Sequence, residues 1–138
     1  MLDRAIAQNK PRRRPRELEH NLQVACVKWF RMQYAPYARS LFAVPNGGQR
    51  NAVVAAKLKA EGVLPGVADL LLLEANFEYR GLAIELKTKE GVQSKYQKEW
   101  QKYIESRGWM YVVVRSVDEF IKVVTEYIEH DKEIGIRS

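Results

Sequence analysis

Three charged residues interrupt an otherwise apolar stretch in the middle of the chain: Asp69 in GVADLLLLE, then Glu85 and Lys87 in GLAIELK. Residues 69–73 and 82–87 read as two strands joined by a turn over 75–80. Side chains alternate faces along a strand, so Glu85 and Lys87 share one face. Antiparallel pairing with Leu73 opposite Leu82 makes partner numbers sum to about 155, which leaves Asp69 within one residue of both. A slip of one residue, to an even sum, puts all three on the same face. Two carboxylates a few ångströms apart repel, and a cation between them holds both as anions. Hard oxygen donors of this kind suit Mg²⁺ or Mn²⁺, which keep several waters while bound by one or two carboxylates. A neighbouring ammonium can orient a water or stabilise charge growing on a phosphate. The plainer reading is a polar strand end with Asp69 capping a turn, because E-x-K alone is short enough to arise by chance.

The elements around this hairpin alternate helix and strand. Residues 17–34 carry apolar side chains at three- and four-residue spacing (Leu18, Leu22, Cys26, Trp29), an amphipathic helix that ends before Pro36. Glu19 and Gln23 lie four apart on a neighbouring face, where Glu19 complements the helix dipole. A short strand over 40–45 leads into the polar turn Asn46-Gly47-Gly48-Gln49-Arg50. That turn reads equally as an ordinary strand-to-helix loop or as a loop approaching a phosphate backbone. A helix over 51–61 is expected to turn Val53, Val54 and Leu58 inward and Lys57 and Lys59 outward. After the hairpin, Ser94 opens a helix to about residue 107 with Trp100 and Ile104 inward. Ser94-x-x-Gln97 fits a capping box. Residues 109–114 form a β-branched strand, expected to be central, and a last helix runs from Ser116 or Asp118 to about residue 129. The order gives an α/β domain in which helices flank a mixed sheet, the 69/85 pair lies mid-sheet, and residues 87–109 make a parallel crossover.

The chain of 138 residues has the length of one domain, and its net charge of +6 is unevenly placed. Residues 1–16 carry six basic side chains against Asp3, so the remainder is nearly neutral. PRRRPR has no apolar period and two prolines. It reads as a basic arm (Arg12, Arg13, Arg14, Arg16) that follows a phosphate backbone by charge, or as a solvated tail. Residues 131–138 form a polar tail, leaving 17–130 as the domain. No apolar run is long enough to cross a membrane. The single Cys26 fits a reducing compartment, and one cysteine with two separated histidines cannot make a zinc site of the usual spacing.

Five pieces occur in a recognisable order: Glu19-x-x-Leu22-Gln23, Val44-Pro45-Asn46-Gly47-Gly48, Gly66-x-x-Asp69, Glu85-x-Lys87 and Ser94-x-x-Gln97-x-x-Trp100. Together they resemble the PD-(D/E)xK nuclease core in its VRR-NUC (virus-type replication-repair nuclease) branch, of the stand-alone bacterial or phage type. Ala68 departs from the pattern, standing where a Pro commonly precedes the Asp. The resemblance implies a restriction-endonuclease-like α/β core and Mg²⁺- or Mn²⁺-dependent hydrolysis of DNA to 5′-phosphate and 3′-hydroxyl ends. It implies a metal held by Asp69, Glu85, the Leu86 carbonyl and, directly or through water, Glu19. Lys87 would orient the attacking water, with Gln97 facing the same site, a role that competes with its capping box for one amide. DNA contacts are expected from the arm and from Asn46, Gln49, Arg50, Lys89 and Lys95. The expected substrate is branched DNA, a four-way (Holliday) junction cut by a homodimer in the cytoplasm of a bacterial or phage-infected cell. A flap-nicking monomer and a non-catalytic DNA-binding module are the competing readings.

Overall fold

A computed structural model describes residues 14–45 and 51–133. Helix α1 (Pro15–Gln33) is followed by a 3₁₀ turn (Ala35–Ser40) and strand β1 (Leu41–Ala43). Helix α2 (Ala52–Ala60) precedes the hairpin of β2 (Leu70–Leu72) and β3 (Leu82–Leu86). Helix α3 (Lys95–Ser106), strand β4 (Met110–Val114) and helix α4 (Val117–Glu133) complete the order. The sheet runs β1-β2-β3-β4, antiparallel at the first two junctions and parallel between β3 and β4. The α/β class, the mid-sheet position of the hairpin and the parallel crossover all follow the sequence expectation.

Register decides what the hairpin presents. Leu70 pairs with Ile84 and Leu72 with Leu82, so partner numbers sum to 154, one less than the expected value. In that even register Asp69 lies opposite Glu85. The strands are shorter than expected, but the ladder continues past their ends: Val44 N–H donates to Asp69 O at 2.9 Å and Lys87 N–H to Val114 O at 3.0 Å. The turn is closed by Asn76, whose Oδ1 accepts from the backbone N–H of Glu78 and Tyr79 at 2.9 and 2.7 Å.

Period-2 alternation sorts the side chains onto two faces. Leu70, Leu72, Leu82, Ile84, Leu86 and Val114 form one core with Cys26 and Phe30 of α1 and with Phe120, Val124 and Tyr127 of α4. Each fully buried Leu or Ile there contributes about 1.5–3 kcal/mol. The opposite face carries Ala83 and Tyr111 against Ile104 and Trp100 of α3. Glu85, at an odd position of β3, belongs to this second face.

Four expectations need correction. Helix α1 starts at Pro15, so Arg16 is helical rather than part of the arm; the fixed φ of proline and its missing N–H suit the first helical position. Helix α4 continues to Glu133, past the expected boundary at 130. Strand β4 lies at the sheet edge, and its β-branched run reflects cover on its two faces by α3 and α4. In α2 no residue is buried, and Val53 and Val54 are 67% and 41% exposed. That helix, capped by Asn51 Oδ1 accepting from Val54 N–H at 2.8 Å, walls a groove instead of joining the core. Among the described residues no helix is long and apolar enough to cross a membrane.

Candidate active site

The sequence places Asp69 at the entry of β2 because Gly66 lets the preceding loop turn tightly. Gly66 has φ +87°, and a Cβ there would fall 2.4 Å from the backbone carbonyl of Tyr96 and 2.8 Å from Gln97 N. The loop into β2 therefore rests directly on the first turn of α3, and this contact carries α3 over Glu85. Asp69 Oδ2 accepts from the Leu86 N–H at 2.7 Å, a bond that fixes its carboxylate across the hairpin.

Glu85 is 2% exposed and has the other face's core around it. Gln97 Nε2 donates to Glu85 Oε1 at 2.9 Å, and Tyr111 OH donates to Oε2 at 3.4 Å. Burial, the negative charge of Asp69 and a hydrogen bond with Asp69 that needs the proton push the Glu85 carboxyl up to about 9, against the pull of Lys87 and Tyr111. Burial, followed by the Glu85 charge, pushes the Tyr111 phenol up as well, so it stays a donor. Lys87 is half-buried one pleat beyond Glu85 on the same face. A groove of about 640 Å³, walled by Leu58 and Lys59 of α2 and by Leu64 and Tyr96, opens onto Asp69 and Gln97. A smaller cavity of about 150 Å³ lies at the other end of the sheet, near Asn76 and His130.

Gln97 resolves the competition expected for its amide. Its Oε1 accepts from Ser94 N–H at 2.8 Å in the capping box, while its Nε2 is left to donate to Glu85. One side chain starts the helix and holds the buried carboxylate.

No protein-family model matches the sequence, and no curated protein does. A solved structure described as a VRR_NUC domain protein superposes with a TM-score of 0.70 and 29% identity, over 80% of this chain and 88% of that one. The chain carries a VRR-NUC domain. Its mixed sheet flanked by helices is the PD-(D/E)xK type of fold.

Within this VRR-NUC domain the fold gathers Asp69, Glu85, Lys87 and Gln97. It does not gather Glu19: among the described residues no set of three or more His, Cys, Asp and Glu side chains forms a metal cage. Glu19 lies half-buried in an early turn of α1, whose Cys26 and Phe30 pack on the face opposite Glu85. Gln23 lines a different groove, between α1 and β1, with Phe42. Leu86 reaches Asp69 through its N–H. Arg14, Arg16, Lys89 and Lys95 are exposed, Lys95 facing Glu99 at 4.0 Å. Arg12, Arg13, Asn46, Gln49 and Arg50 lie outside the described residues.

The donor set suits a hard divalent cation. Two facing carboxylates, one of them driven towards its neutral form by burial and by the charge of the other, match the cation's preference for one or two carboxylates with the remaining positions taken by water. The sequence reading missed Tyr111, Gln93 and Gln101. Gln97 and Gln101 share one side of α3, and Gln93 lies in the loop just before its N-cap, so helical spacing alone did not mark the three as a set.

Proposed function

We propose that this VRR-NUC domain is a metal-dependent DNA endonuclease hydrolysing phosphodiester bonds. One observation carries the reading: Asp69 faces Glu85 across the hairpin, Glu85 is buried with its carboxyl raised to about 9, and Lys87 follows on the same face. The structural neighbour's description as a VRR_NUC domain protein supports the nuclease class.

Asp69 and Glu85 would hold Mg²⁺ or Mn²⁺. A bound divalent cation supplies a water of lowered pKa and polarises the scissile phosphate. Asp69 is kept in place by the Leu86 N–H and Glu85 by Gln97, so both carboxylates are oriented before substrate arrives. The Lys87 ammonium orients the attacking water and donates to the phosphoryl oxygens as their charge grows in the transition state. The groove beside Asp69 accepts the strand, and the exposed Lys89, Lys95, Arg14 and Arg16 add phosphate contacts without reading bases.

We take the substrate to be branched DNA, a four-way junction cut by a homodimer, since two symmetric cuts need two matched sites. The test is incubation of the pure protein with labelled four-way junction, flap, single-stranded and duplex DNA, with EDTA, Mg²⁺ or Mn²⁺. Paired cuts of the junction that require the cation are expected. Cutting of flaps alone by a monomer would replace the substrate assignment, and undiminished cutting in EDTA would overturn the metal assignment.

A further inference from the structure

The Glu85 carboxylate is held from two elements, and only one of the holders was expected. Gln97 reaches Oε1 from α3; Tyr111 reaches Oε2 from β4. Tyr111 is 7% exposed, its ring edge-on to Trp100 at 6.1 Å between centroids, on a sheet face otherwise lined by Ala83, Leu71 and Val113. A phenol oxygen buried on such a face costs stability unless its hydrogen-bonding groups are satisfied. Phenylalanine would fill the same space without that cost.

What satisfies the phenol also aims it. Gln93 Nε2 donates to the Tyr111 phenol oxygen Oη at 3.1 Å and to Gln101 Oε1 at 2.8 Å, which uses both protons of its amide. Because Tyr111 accepts from Gln93, its own proton is directed to Glu85 Oε2. The 3.4 Å separation closes with a shift of a few tenths of an ångström. Gln101 on α3, Gln93 in the loop before it, Tyr111 on β4 and Glu85 on β3 thus form one directed chain of hydrogen bonds.

We propose that Tyr111, aimed by Gln93 and Gln101, is a positioning residue that sets the plane of the Glu85 carboxylate for the cation. The proposal rests on the reading of Asp69 and Glu85 as a cation site. With one donor on each oxygen, rotation of the carboxylate about its last bond is blocked from both sides. Each oxygen still keeps a lone pair for a ligand. Outer groups of this kind, which orient a ligand without touching the ion, are typically worth ~10–100-fold in metal affinity.

The experiment measures Mn²⁺ binding to the free protein by calorimetry, for wild type, Tyr111→Phe and Gln101→Leu, alongside melting in EDTA and steady-state cleavage. Tyr111→Phe should bind Mn²⁺ roughly tenfold or more weakly. Its affinity for DNA in EDTA should be unchanged, and its kcat should recover as Mn²⁺ is raised. Gln101→Leu lies three hydrogen bonds away from Glu85 along this network and should shift Mn²⁺ affinity in the same direction by less. It keeps the test alive should Tyr111→Phe fold poorly. If both variants melt lower but bind Mn²⁺ like wild type, the network is packing only and the proposal falls. If wild type itself binds no Mn²⁺, the cation-site reading falls, an outcome separate from equal binding by all three proteins.

Discussion

Replacing Glu85 by Gln should abolish cleavage and, in EDTA, make the protein more stable at neutral pH. The folded protein holds the Glu85 carboxyl at about 9, against an ordinary value of 4.5. A raised carboxyl means the folded state binds its proton more tightly than the unfolded chain does. Between pH 4.5 and 9 the folded state carries more protons, so stability is full below 4.5 and falls as pH rises through the window. At about 1.4 kcal/mol per pH unit, the wild type forfeits about 3 kcal/mol by pH 7. Gln cannot ionise and escapes that loss. Its amide keeps two of the acid's contacts: the carbonyl accepts from Gln97 Nε2, and an N–H takes the place of the proton shared with Asp69, while the Tyr111 phenol loses its acceptor at Oε2.

The assay is thermal or urea unfolding of both proteins in EDTA from pH 4.5 to 9. Between pH 4.5 and pH 7 the difference in stability should move by about 3 kcal/mol in favour of Glu85→Gln, roughly a 10 °C change in relative Tm, on top of a pH-independent cost for the lost Tyr111 bond. Adding Mn²⁺ should stabilise the wild type and leave the variant unmoved, since only the wild type has the second anionic ligand. Binding of Mn²⁺ to the wild type at pH 7 should release close to one proton, measurable by calorimetry in buffers of different ionisation enthalpy. A difference that is constant with pH would refute the argument that Glu85 is a buried acid awaiting a cation.

Lys87→Ala should lower kcat by about 10²-fold or more with little change in DNA affinity, and Lys87→Arg should rescue it poorly because a planar fork does not replace a compact ammonium; single-turnover rates at saturating DNA decide it, and normal rates in both would make Lys87 a solvated strand end. Gly66→Ala should cost at least about 1–2 kcal/mol from its positive φ alone, with more from the approach to the Tyr96 backbone, and should weaken Mn²⁺ binding by displacing α3; urea titration together with Mn²⁺ calorimetry checks both effects. Deleting residues 1–13, ahead of the helix start at Pro15, should weaken binding to every DNA shape alike and flatten the slope of log affinity against log salt by about 0.9 per lost contact. Cleavage at saturating DNA should persist in that truncation, and an unchanged salt slope would mark the arm as a passive tail.

The hairpin was legible because a strand is read by period 2, and Asp69, Glu85 and Lys87 differ from their apolar neighbours in charge. What remained open was a single unit of register, since the pattern LLLL offers no alternation to pin it. The structure closes that choice through groups the hydrophobic pattern does not contain: the Asx turn at Asn76 and the Asp69 bond to Leu86 N–H. Helix α2 was misread for a related reason. AVVAAKLKA is apolar nearly all round, so composition implied burial while the helix stands at the wall of a groove. Position in the fold, which the sequence does not state locally, overrode its composition.

The polar side of the site was the least legible part. Glutamine is uncharged, common on helix surfaces and competent in a capping box, so Gln97 offered two roles and Gln93 and Gln101 offered none. Their significance emerges only once β3 and β4 pair in parallel, setting Glu85 beside Val113 and Ala83 beside Tyr111. The phenol then needs a donor and an acceptor inside an apolar layer: Gln93, steadied by Gln101 of α3, is the donor, and Glu85 of β3 is the acceptor. Uncharged donors suit this place for a physical reason. Lysine or arginine there would neutralise the Asp69–Glu85 pair permanently and remove its demand for an ion. Amides and a phenol steady the carboxylate without a full charge of their own, so a bound cation would relieve the Asp69–Glu85 repulsion while displacing the Glu85 proton.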